Sequence, residues 1–510
     1  MATLNLALDN IQGNILGGFN KDFQTFIVLK FKSQASGRAW LAEVCDKDNK
    51  FGIATSSSEE VLRFNAQFKA IKAEGREPER FIESAWTNLA ISFSGLSALG
   101  ASAADLATFP QAFREGMAAR KILLGDIGTS DPAQWIAPFG SPDVHALLVV
   151  AADSEARLAR RVAHIRATGA FTAGVNSLIV IEGRTRMDVP KQAGHEHFGF
   201  KDGVSQPGIR GITPADDPVG NPNQGHPGQD LLWPGEFVLG YPTQIGHAKL
   251  GQDGLNTDPG LASKSGPAWT TDGSYLVFRR LAQDVPAFNS HVASLAATHG
   301  MHSDLMGAKL VGRYKSGCPV EARAFQPSPF VPSPTDPEKF QPGLADSDTL
   351  NNNFEFGDDA DGAVCPLASH IRKTYPRDET TPAGQPDSES NTQTHRLLRR
   401  GIPFGGSFGA TKNGGVNDSR GLVFQCYQRS IEDQFEFVQA SWVNNPNFPP
   451  GAVGGIPGQD PIIAQSASGP FQFAPATAAG TVKHFVTTTG GEYFFAPSFD
   501  ALRKLGSGLI

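Results

Sequence analysis

The sequence predicts an α+β fold that consists of two ferredoxin-like domains in tandem. The first ~190 residues alternate β-rich and helical segments in the order β-α-β-β-α-β, which is the ferredoxin-like pattern. After a loop rich in glycine, proline, asparagine and aspartate at 207–235, a similar order begins again. We therefore expect an N-terminal domain at 1–215 and a C-terminal domain at 216–510.

The N-terminal half contains the strands and helices of one such unit. Apolar or β-rich runs predict strands at 26–31, 89–93, 144–150 and 177–181. Helical spacing predicts helices at 35–44, 95–99, 109–115 and 154–168, the last with Ser154 as its N-cap. This order predicts a sheet with helices packed against it.

The C-terminal half repeats the pattern with large insertions. Strands are predicted at 275–279, 421–426, 482–486 and 492–495, and helices at 285–297, 430–441 and 498–505. The insertions are a segment rich in proline, aspartate and asparagine at 326–362 and a polar segment at 378–394. Long segments of this kind inside a compact domain are typically functional or mobile.

Composition and charge exclude several classes of protein. The 510-residue chain carries a net charge of −7, which argues against nucleic acid or an anionic membrane as its main partner. No apolar run reaches the ~18 residues of a membrane span. The start of the chain lacks the features of a secretion signal, so we expect a cytoplasmic protein, or a secreted one if a signal was removed. Four widely spaced cysteines without a Cys-x-x-Cys pair argue against a disulfide scaffold or a structural zinc site.

A glycine-flanked aspartate is the first candidate for chemistry. Gly199 and Gly203 let the backbone turn tightly and approach a flat ligand, because neither carries a Cβ. Asp202 lies between them and is the only acidic residue at 199–209, which makes it a candidate proton acceptor in a buried site. The alternative is an ordinary Asp-Gly turn, in which the carboxylate only bonds its own backbone.

A histidine in a basic run is the second candidate. His370 is followed by Arg372, Lys373 and Arg377. Nearby cations disfavour protonation of an imidazole, which suits a neutral metal ligand. The same cations are suited to neutralising the carboxylates of a bound cofactor. The alternative is a histidine on a surface helix among solvated charges.

Two adjacent arginines are the third candidate. Arg399 and Arg400 precede a Gly-x-Pro-x-Gly turn, and on an extended backbone their side chains point in different directions. One of them is then free to enter a cavity and stabilise a developing oxyanion, while the other reaches solvent. The alternative is a basic pair at the surface.

Several runs of the chain occur in an order that is known from one family. The Gly-x-x-Asp-Gly run is followed by His-Ile-Arg-Lys-Thr-x-Pro-Arg at 370–377 and Leu-Arg-Arg-Gly-Ile-Pro-Phe-Gly at 398–405. In this order they resemble the dye-decolorizing (DyP-type) haem peroxidases. Further similar runs lie at 10–14, 233–237, 275–283, 317–319 and 460–463, so the resemblance spans nearly the whole chain. The chain length and the insertions resemble the long subclass known from fungi and some bacteria.

The resemblance implies a fold, a cofactor and residue roles. The fold is that of the dimeric α+β barrel-like superfamily, with tandem ferredoxin-like domains around one haem b. His370 corresponds to the proximal iron ligand, and Asp460 to the acidic residue that accepts a hydrogen bond from that imidazole. Asp202 and Arg399 correspond to the distal side, where peroxide binds, and the family divides the proton transfer between them in different ways. The other expected haem contacts are Arg377, Gly199 and Gly203.

The implied activity is that of a haem peroxidase. Hydrogen peroxide would convert the haem to an oxyferryl form, which then oxidises bulky aromatic donors such as dyes and phenolics in one-electron steps. Surface aromatic residues are expected to carry electrons from these donors to the haem. The first candidate is Trp442 and the second is Tyr427, with buried packing as the alternative. Phe404 stands where some relatives carry tyrosine, so this chain lacks one possible radical site. Two other functions stay open, namely a haem carrier or iron-release protein on the same fold and a cofactor-free binding protein.

Overall fold

The computed structural model describes residues 4–46, 55–190, 192–246, 258–321, 351–379, 388–409, 415 and 418–510. Most of the predicted insertion at 326–362 and the middle of that at 378–394 lie outside these ranges. The described strands are β1 Phe23–Phe31, β2 Ala85–Ile91, β3 Ala146–Ala152, β4 Val175–Arg184, β5 Gly208–Ile209, β6 Leu231–Leu232, β7 Ser274–Gln283, β8 Leu398–Arg399, β9 Ile402–Phe404, β10 Gly421–Gln428, β11 Ser468–Phe471, β12 Gly480–Lys483 and β13 Val486–Ala496.

Eight of these strands close into a ring. Their order is β7-β13-β2-β3-β1-β4-β9-β10, and β10 pairs back with β7. All of these pairings are antiparallel. The short β8 adds to β10 beside β9. Without closure, the strands at the two edges of the sheet would leave backbone N–H and C=O groups unpaired. Closing the ring pairs these strands with each other.

Each half of the ring has the ferredoxin-like strand order. The N-terminal strands lie in the order β4-β1-β3-β2, and the C-terminal strands in the equivalent order β13-β7-β10-β9. The halves meet where β2 pairs with β13 and where β4 pairs with β9. The predicted α+β class is therefore confirmed, and the two halves share one continuous sheet. The domain boundary between 215 and 216 stays a prediction.

The described helices surround a core that both halves build. They are α1 Gly13–Leu16, α2 Gln34–Val44, α3 Ser58–Ala73, α4 Phe93–Ala98, α5 Ala103–Ala107, α6 Gln111–Glu115, α7 Lys121–Leu124, α8 Glu155–Ala167, α9 Gly169–Gly174, α10 Val285–Thr298, α11 Ser303–Val311, α12 His370–Thr374, α13 Ser388–Gln393 and α14 Phe499–Ser507. Ser154 caps α8 as predicted, since its side chain accepts the N–H of Arg157. Within the described ranges, the helices include none long and apolar enough to cross a bilayer.

Several elements differ from the sequence prediction. Helices α1, α9 and α11 and strand β9, for example, have no predicted counterpart. Helix α3 is not among the predicted helices, because only a few of its residues are buried and its apolar spacing is weak. Its signal is the capping box of Ser57 and Glu60, in which each side chain bonds the other residue's backbone. The strand expected at 482–486 is wrong in extent, because residues 484–485 belong to neither β12 nor β13. Strand β12 instead pairs with β11 in a separate sheet.

Gln12 connects the start of the chain to the ring, and its removal is expected to destabilise the protein. Its buried side chain donates to the carbonyls of Leu89 at 2.8 Å and Pro497 at 2.7 Å, and it accepts the N–H of Leu89 at 2.8 Å. We expect Gln12→Ala to lower the free energy of unfolding by roughly 3 kcal/mol, because buried backbone groups lose their partners. Urea unfolding measures this. The control is Gln111→Ala, which removes an exposed side chain; equal effects of both substitutions would contradict the prediction.

Candidate active site

A cavity lies against one face of β7 and β10. Alternate residues of a strand share a face, and the register places Leu422 opposite Leu281 and Phe424 opposite Arg279. These four side chains and Gln283 form one wall of the cavity. Other walls come from the loop at 196–205, helix α12, the segment at 395–401 and the segments Ile431–Glu436 and Val438–Val443. The helix predicted at 430–441 is thus present, with π-helical geometry.

His370 and Asp460 form a hydrogen-bonded pair at one side of this cavity. The Nδ1–H of His370 donates to Asp460 Oδ2 at 2.8 Å, and the Asp460 side chain is fully buried. Asp460 Oδ1 accepts the backbone N–H groups of Ile462 at 2.7 Å and Ile463 at 2.9 Å. Burial raises the pKa of Asp460, but His370 and the two amides outweigh burial and hold that pKa below its usual range. Because Nδ1 is engaged, Nε2 is the ring nitrogen left for a ligand.

Asp202 and Arg399 form a second pair on the same cavity. Arg399 Nη1 donates to Asp202 Oδ1 at 3.1 Å, and Nη2 donates to the carbonyl of Ser205 at 2.8 Å. Asp202 Oδ1 also accepts the N–H of Gly203 at 2.6 Å, as the turn alternative predicts. Asp202 nevertheless lines the cavity, and both Asp202 and Arg399 line a second cavity as well. The pair therefore stands between two cavities.

The two predicted glycines have different positions. Both adopt a left-handed backbone, with φ of 95° at Gly199 and 73° at Gly203. A Cβ would lie 3.6 Å from Lys315 Cε at Gly199, and at Gly203 it would meet nothing within 4 Å. The turn itself therefore requires glycine here. Gly203 is among the residues that line the cavity, whereas Gly199 is not.

Glu196 holds the loop that carries Asp202, and the sequence analysis assigns it no role. Its carboxylate accepts the backbone N–H groups of Phe198 and Phe200 at 2.8 Å each. Its backbone carbonyl accepts the N–H of Gly199 at 2.9 Å. Burial raises the pKa of Glu196, and the bonds from Gln283 and the two amides act in the opposite direction. The only sequence signal for this role is an acidic residue just before the glycine-rich run. The contact itself is not visible in the sequence, because the turn brings the two amides to the carboxylate.

Arg377 and Arg313 bring buried positive charge to the cavity. Arg377 is 3% exposed and lies 3.9 Å from the partly exposed Glu355. Burial, together with Arg377 and Arg399, lowers the pKa of Arg313 to about 9. In the part of the chain that the structure describes, the hydrogen bonds of Arg313 end on neutral oxygens at 2.6–2.9 Å, from Gly317, Asn351 and Asn352. A buried cation without a carboxylate partner is costly, so this wall favours an anionic ligand.

The other cations of the predicted basic runs have structural roles. Arg372 pairs with Asp359 at 3.0 Å and with Glu379 at 2.6 Å, and all three are buried. Lys373 is buried and donates to backbone carbonyls. The surface-helix alternative for this run is therefore wrong. The expectation that the second arginine reaches solvent is also wrong, because Arg400 donates to the carbonyls of Asn14 and Ile15 in α1 at 3.0 and 2.9 Å.

The two predicted aromatic electron carriers are buried. Trp442 is 4% exposed and stacks on Phe448, with ring centroids 5.3 Å apart. Tyr427 is fully buried, and its hydroxyl accepts hydrogen bonds from Asn14 and Asn88 at 3.3 and 3.2 Å. Neither side chain lies at the surface, so the packing alternative agrees with the structure at both positions.

Two family models match the chain over most of its length. Residues 10–187 match the DyP dimeric alpha+beta barrel domain, and residues 251–447 match the C-terminal domain of Dyp-type peroxidases. The chain belongs to the DyP-type peroxidase family. The predicted family and the predicted peroxidase activity are confirmed, and peroxidases of this family are haem-dependent.

Individual DyP-type peroxidases are similar over nearly the whole chain. Peroxidase 2 of Mycetinis scorodonius is 32% identical over 99% of this chain and 88% of its own, and the multifunctional dye peroxidase of Amycolatopsis sp. is 29% identical over 98% and 96%. The structure of an ancestral D-type dye decolorizing peroxidase has a TM-score of 0.76 at 33% identity and covers 99% of this chain and 100% of its own. A dye-decolorizing peroxidase in complex with 2,6-dimethoxyphenol has a TM-score of 0.73 at 29% identity, with 98% and 100% covered. These matches give no support to the iron-release alternative.

His197 joins the loop of Asp202 to strand β9. Its Nε2–H donates to the carbonyl of Phe404 at 2.9 Å, and the side chain is 3% exposed. Burial lowers the pKa of His197 to about 4, and the neighbouring Arg186 acts in the same direction. This imidazole is therefore neutral in the folded protein at neutral pH.

Acid is expected to destabilise the protein through His197. Below about pH 6.5 the unfolded chain binds a proton at this imidazole, whereas the folded protein resists protonation down to a pKa of about 4. Stability is therefore lost as pH falls through this window, by about 3 kcal/mol from this residue. His197→Gln should flatten the decline of Tm between pH 7 and 4. The control His195→Gln changes a more exposed neighbour and should leave this decline unchanged. Equal declines of Tm in the wild type and both variants would contradict the prediction.

Proposed function

We propose that this peroxidase binds one haem b in the cavity, with His370 as its proximal ligand and Asp202 and Arg399 on the distal side. The observation that carries the proposal is that His370, which is bonded to Asp460, and the Asp202–Arg399 pair line one cavity. A carboxylate bound to Nδ1 fixes the tautomer of a metal-binding imidazole and raises its basicity. The His370–Asp460 pair has this arrangement, which supports His370 as the iron ligand.

The residues of the cavity fit a haem group. Much of the lining is apolar, from side chains such as Phe198, Leu281 and Phe424, which suits the faces of a porphyrin. Arg313 and Arg377 supply buried positive charge for its carboxylates. Of the two predicted glycines, Gly203 is proposed to contact the haem, while Gly199 shapes the turn.

Asp202 and Arg399 are proposed to carry the proton and charge transfers. When bound, the haem supplies the iron that accepts hydrogen peroxide and the oxidising power of the reaction. Asp202 accepts a proton from hydrogen peroxide and returns it to the oxygen that leaves as water. Arg399 stabilises the negative charge that develops as the O–O bond breaks. Because their side chains are in direct contact, the proton acceptor and the cation act as one unit.

Aromatic molecules are the proposed electron donors. A dye-decolorizing peroxidase of the same fold has been solved in complex with 2,6-dimethoxyphenol. We propose phenolics and dyes as donors and hydrogen peroxide as the oxidant.

His370→Ala is expected to abolish the bond between the protein and the haem iron. The purified variant, after reconstitution with haem, should lack the Soret band of the wild-type protein, because the ring nitrogen that holds the iron is gone. Absorption spectroscopy measures this. The control is His299→Ala, which changes an exposed histidine and should leave the band intact. An unchanged Soret band in His370→Ala would reject His370 as the ligand.

Asp202→Asn is expected to slow the reaction with peroxide while haem remains bound. Loss of a positioned general base typically costs roughly 10²-fold or more in rate. Stopped-flow absorbance after mixing with hydrogen peroxide measures it. The control is Asp216→Asn, an exposed aspartate outside the cavity that pairs with His226. If Asp202→Asn reacts at the wild-type rate, the proton transfer belongs to another group.

A further inference from the structure

Tyr375 lies on the wall of the proposed haem cavity. The chain contains six tyrosines, at 241, 275, 314, 375, 427 and 493. Among the residues that the structure describes, Tyr375 is the only one of these that lines the cavity. It follows directly after α12, the helix that begins with His370. The position brings an oxidisable side chain into the same cavity as the proposed iron ligand.

The hydroxyl of Tyr375 has a carboxylate as its proton acceptor. It donates to Asp230 Oδ2 at 2.6 Å, and the Asp230 side chain is 8% exposed. A phenol loses an electron far more easily when its proton leaves in the same step, and a carboxylate within hydrogen-bond distance is a suitable base for that proton. The pair is therefore built for coupled loss of an electron and a proton.

Arg396 favours this coupling over loss of the electron alone. Its guanidinium carbon lies 3.7 Å from the centroid of the Tyr375 ring. Its Nη1 lies 3.5 Å from Asp230 Oδ2. A cation against the ring disfavours a positively charged ring, so electron loss without proton loss is unfavourable. A neutral tyrosyl radical carries no such penalty.

Other tyrosines share only part of this arrangement. Tyr241 donates to Asp272 at 2.6 Å and Tyr493 donates to Glu436 at 3.0 Å, but neither tyrosine lines the cavity. Within the described residues, only Tyr375 combines a bonded carboxylate with a place on the cavity wall. Tyr241 has the same short hydroxyl–carboxylate bond and is therefore a matched control.

We propose that Tyr375 is a redox-active residue that passes electrons one at a time from aromatic donors to the haem, an inference that rests on the haem site proposed above. In the first half of the cycle the O–H bond of Tyr375 breaks. One electron goes to the haem that peroxide has oxidised, and the proton goes to Asp230, which leaves a neutral tyrosyl radical beside a carboxylic acid. In the second half a phenolic donor supplies one electron, Asp230 returns the proton to Tyr375, and the donor releases its own proton as it becomes a radical.

Electron paramagnetic resonance of the holoenzyme tests the proposal. Protein that contains ring-deuterated tyrosine is mixed with one equivalent of hydrogen peroxide and freeze-quenched. The wild type is expected to give a tyrosyl signal that deuteration narrows, and Tyr375→Phe is expected to lose it. Tyr241→Phe should keep the signal. A second variant, Asp230→Asn, retains the phenol and removes the base, so the signal should appear about 10²-fold more slowly.

The haem absorption of the same samples separates this inference from the proposed function. If peroxide leaves the haem spectrum of the wild type unchanged, the proposed function fails. If peroxide oxidises the haem but Tyr375→Phe keeps the full tyrosyl signal, only the role of Tyr375 is rejected. If the tyrosyl signal forms in Asp230→Asn at the wild-type rate, the coupled proton transfer is rejected. This second variant tests the proposal even if Tyr375→Phe does not fold.

Discussion

The pairing of β4 with β9 is the constraint on which the distal side of the site depends. It closes the strand ring between the two halves, and Gly183 lies opposite Phe404 there. A Cβ at Gly183 would lie 2.5 Å from Ile402 Cγ2, so the strands approach this closely only because the residue is glycine. Arg399 comes just before β9, and Asp202 lies in the loop beyond β4. The closure therefore brings the cation and the carboxylate from separate halves into contact.

The distribution of charge explains how one cavity serves several purposes. Several of its cations are matched by carboxylates, among them Arg399 by Asp202 and Arg396 by Asp230. Arg313 is bonded only to neutral oxygens within the described residues. Matched pairs hold groups in place for proton transfer, whereas an unmatched buried cation leaves charge for a bound anion. In this cavity the Arg399–Asp202 and Arg396–Asp230 pairs are therefore suited to proton transfer, and Arg313 is suited to binding a cofactor anion.

Short runs of the sequence reveal the residues whose chemistry depends on their immediate neighbours. His370, Asp202, Arg399 and Arg377 were expected in one site, and the structure brings all four to one cavity. The contacts of Glu196, Arg313 and Tyr375 are not predictable from the sequence, because each depends on a partner or a turn that the residue types alone do not reveal. The carboxylate that accepts the hydrogen bond of the Tyr375 hydroxyl, for example, is 145 positions away along the chain.

The sequence by itself determined the main strands of the N-terminal half and the residue types of the site, because periodicity and short motifs depend on neighbours along the chain. It did not predict β9, the second strand of the C-terminal half of the ring. The tertiary structure decided which side chains face the cavity. Arg399 and Arg400 are adjacent, yet one bonds Asp202 and the other bonds the carbonyls of α1. For Trp442 the sequence left open a surface electron carrier or a buried packing residue, and in the structure it is buried against Phe448. Burial and long-range pairing decide such outcomes, because they arise only when distant segments pack together.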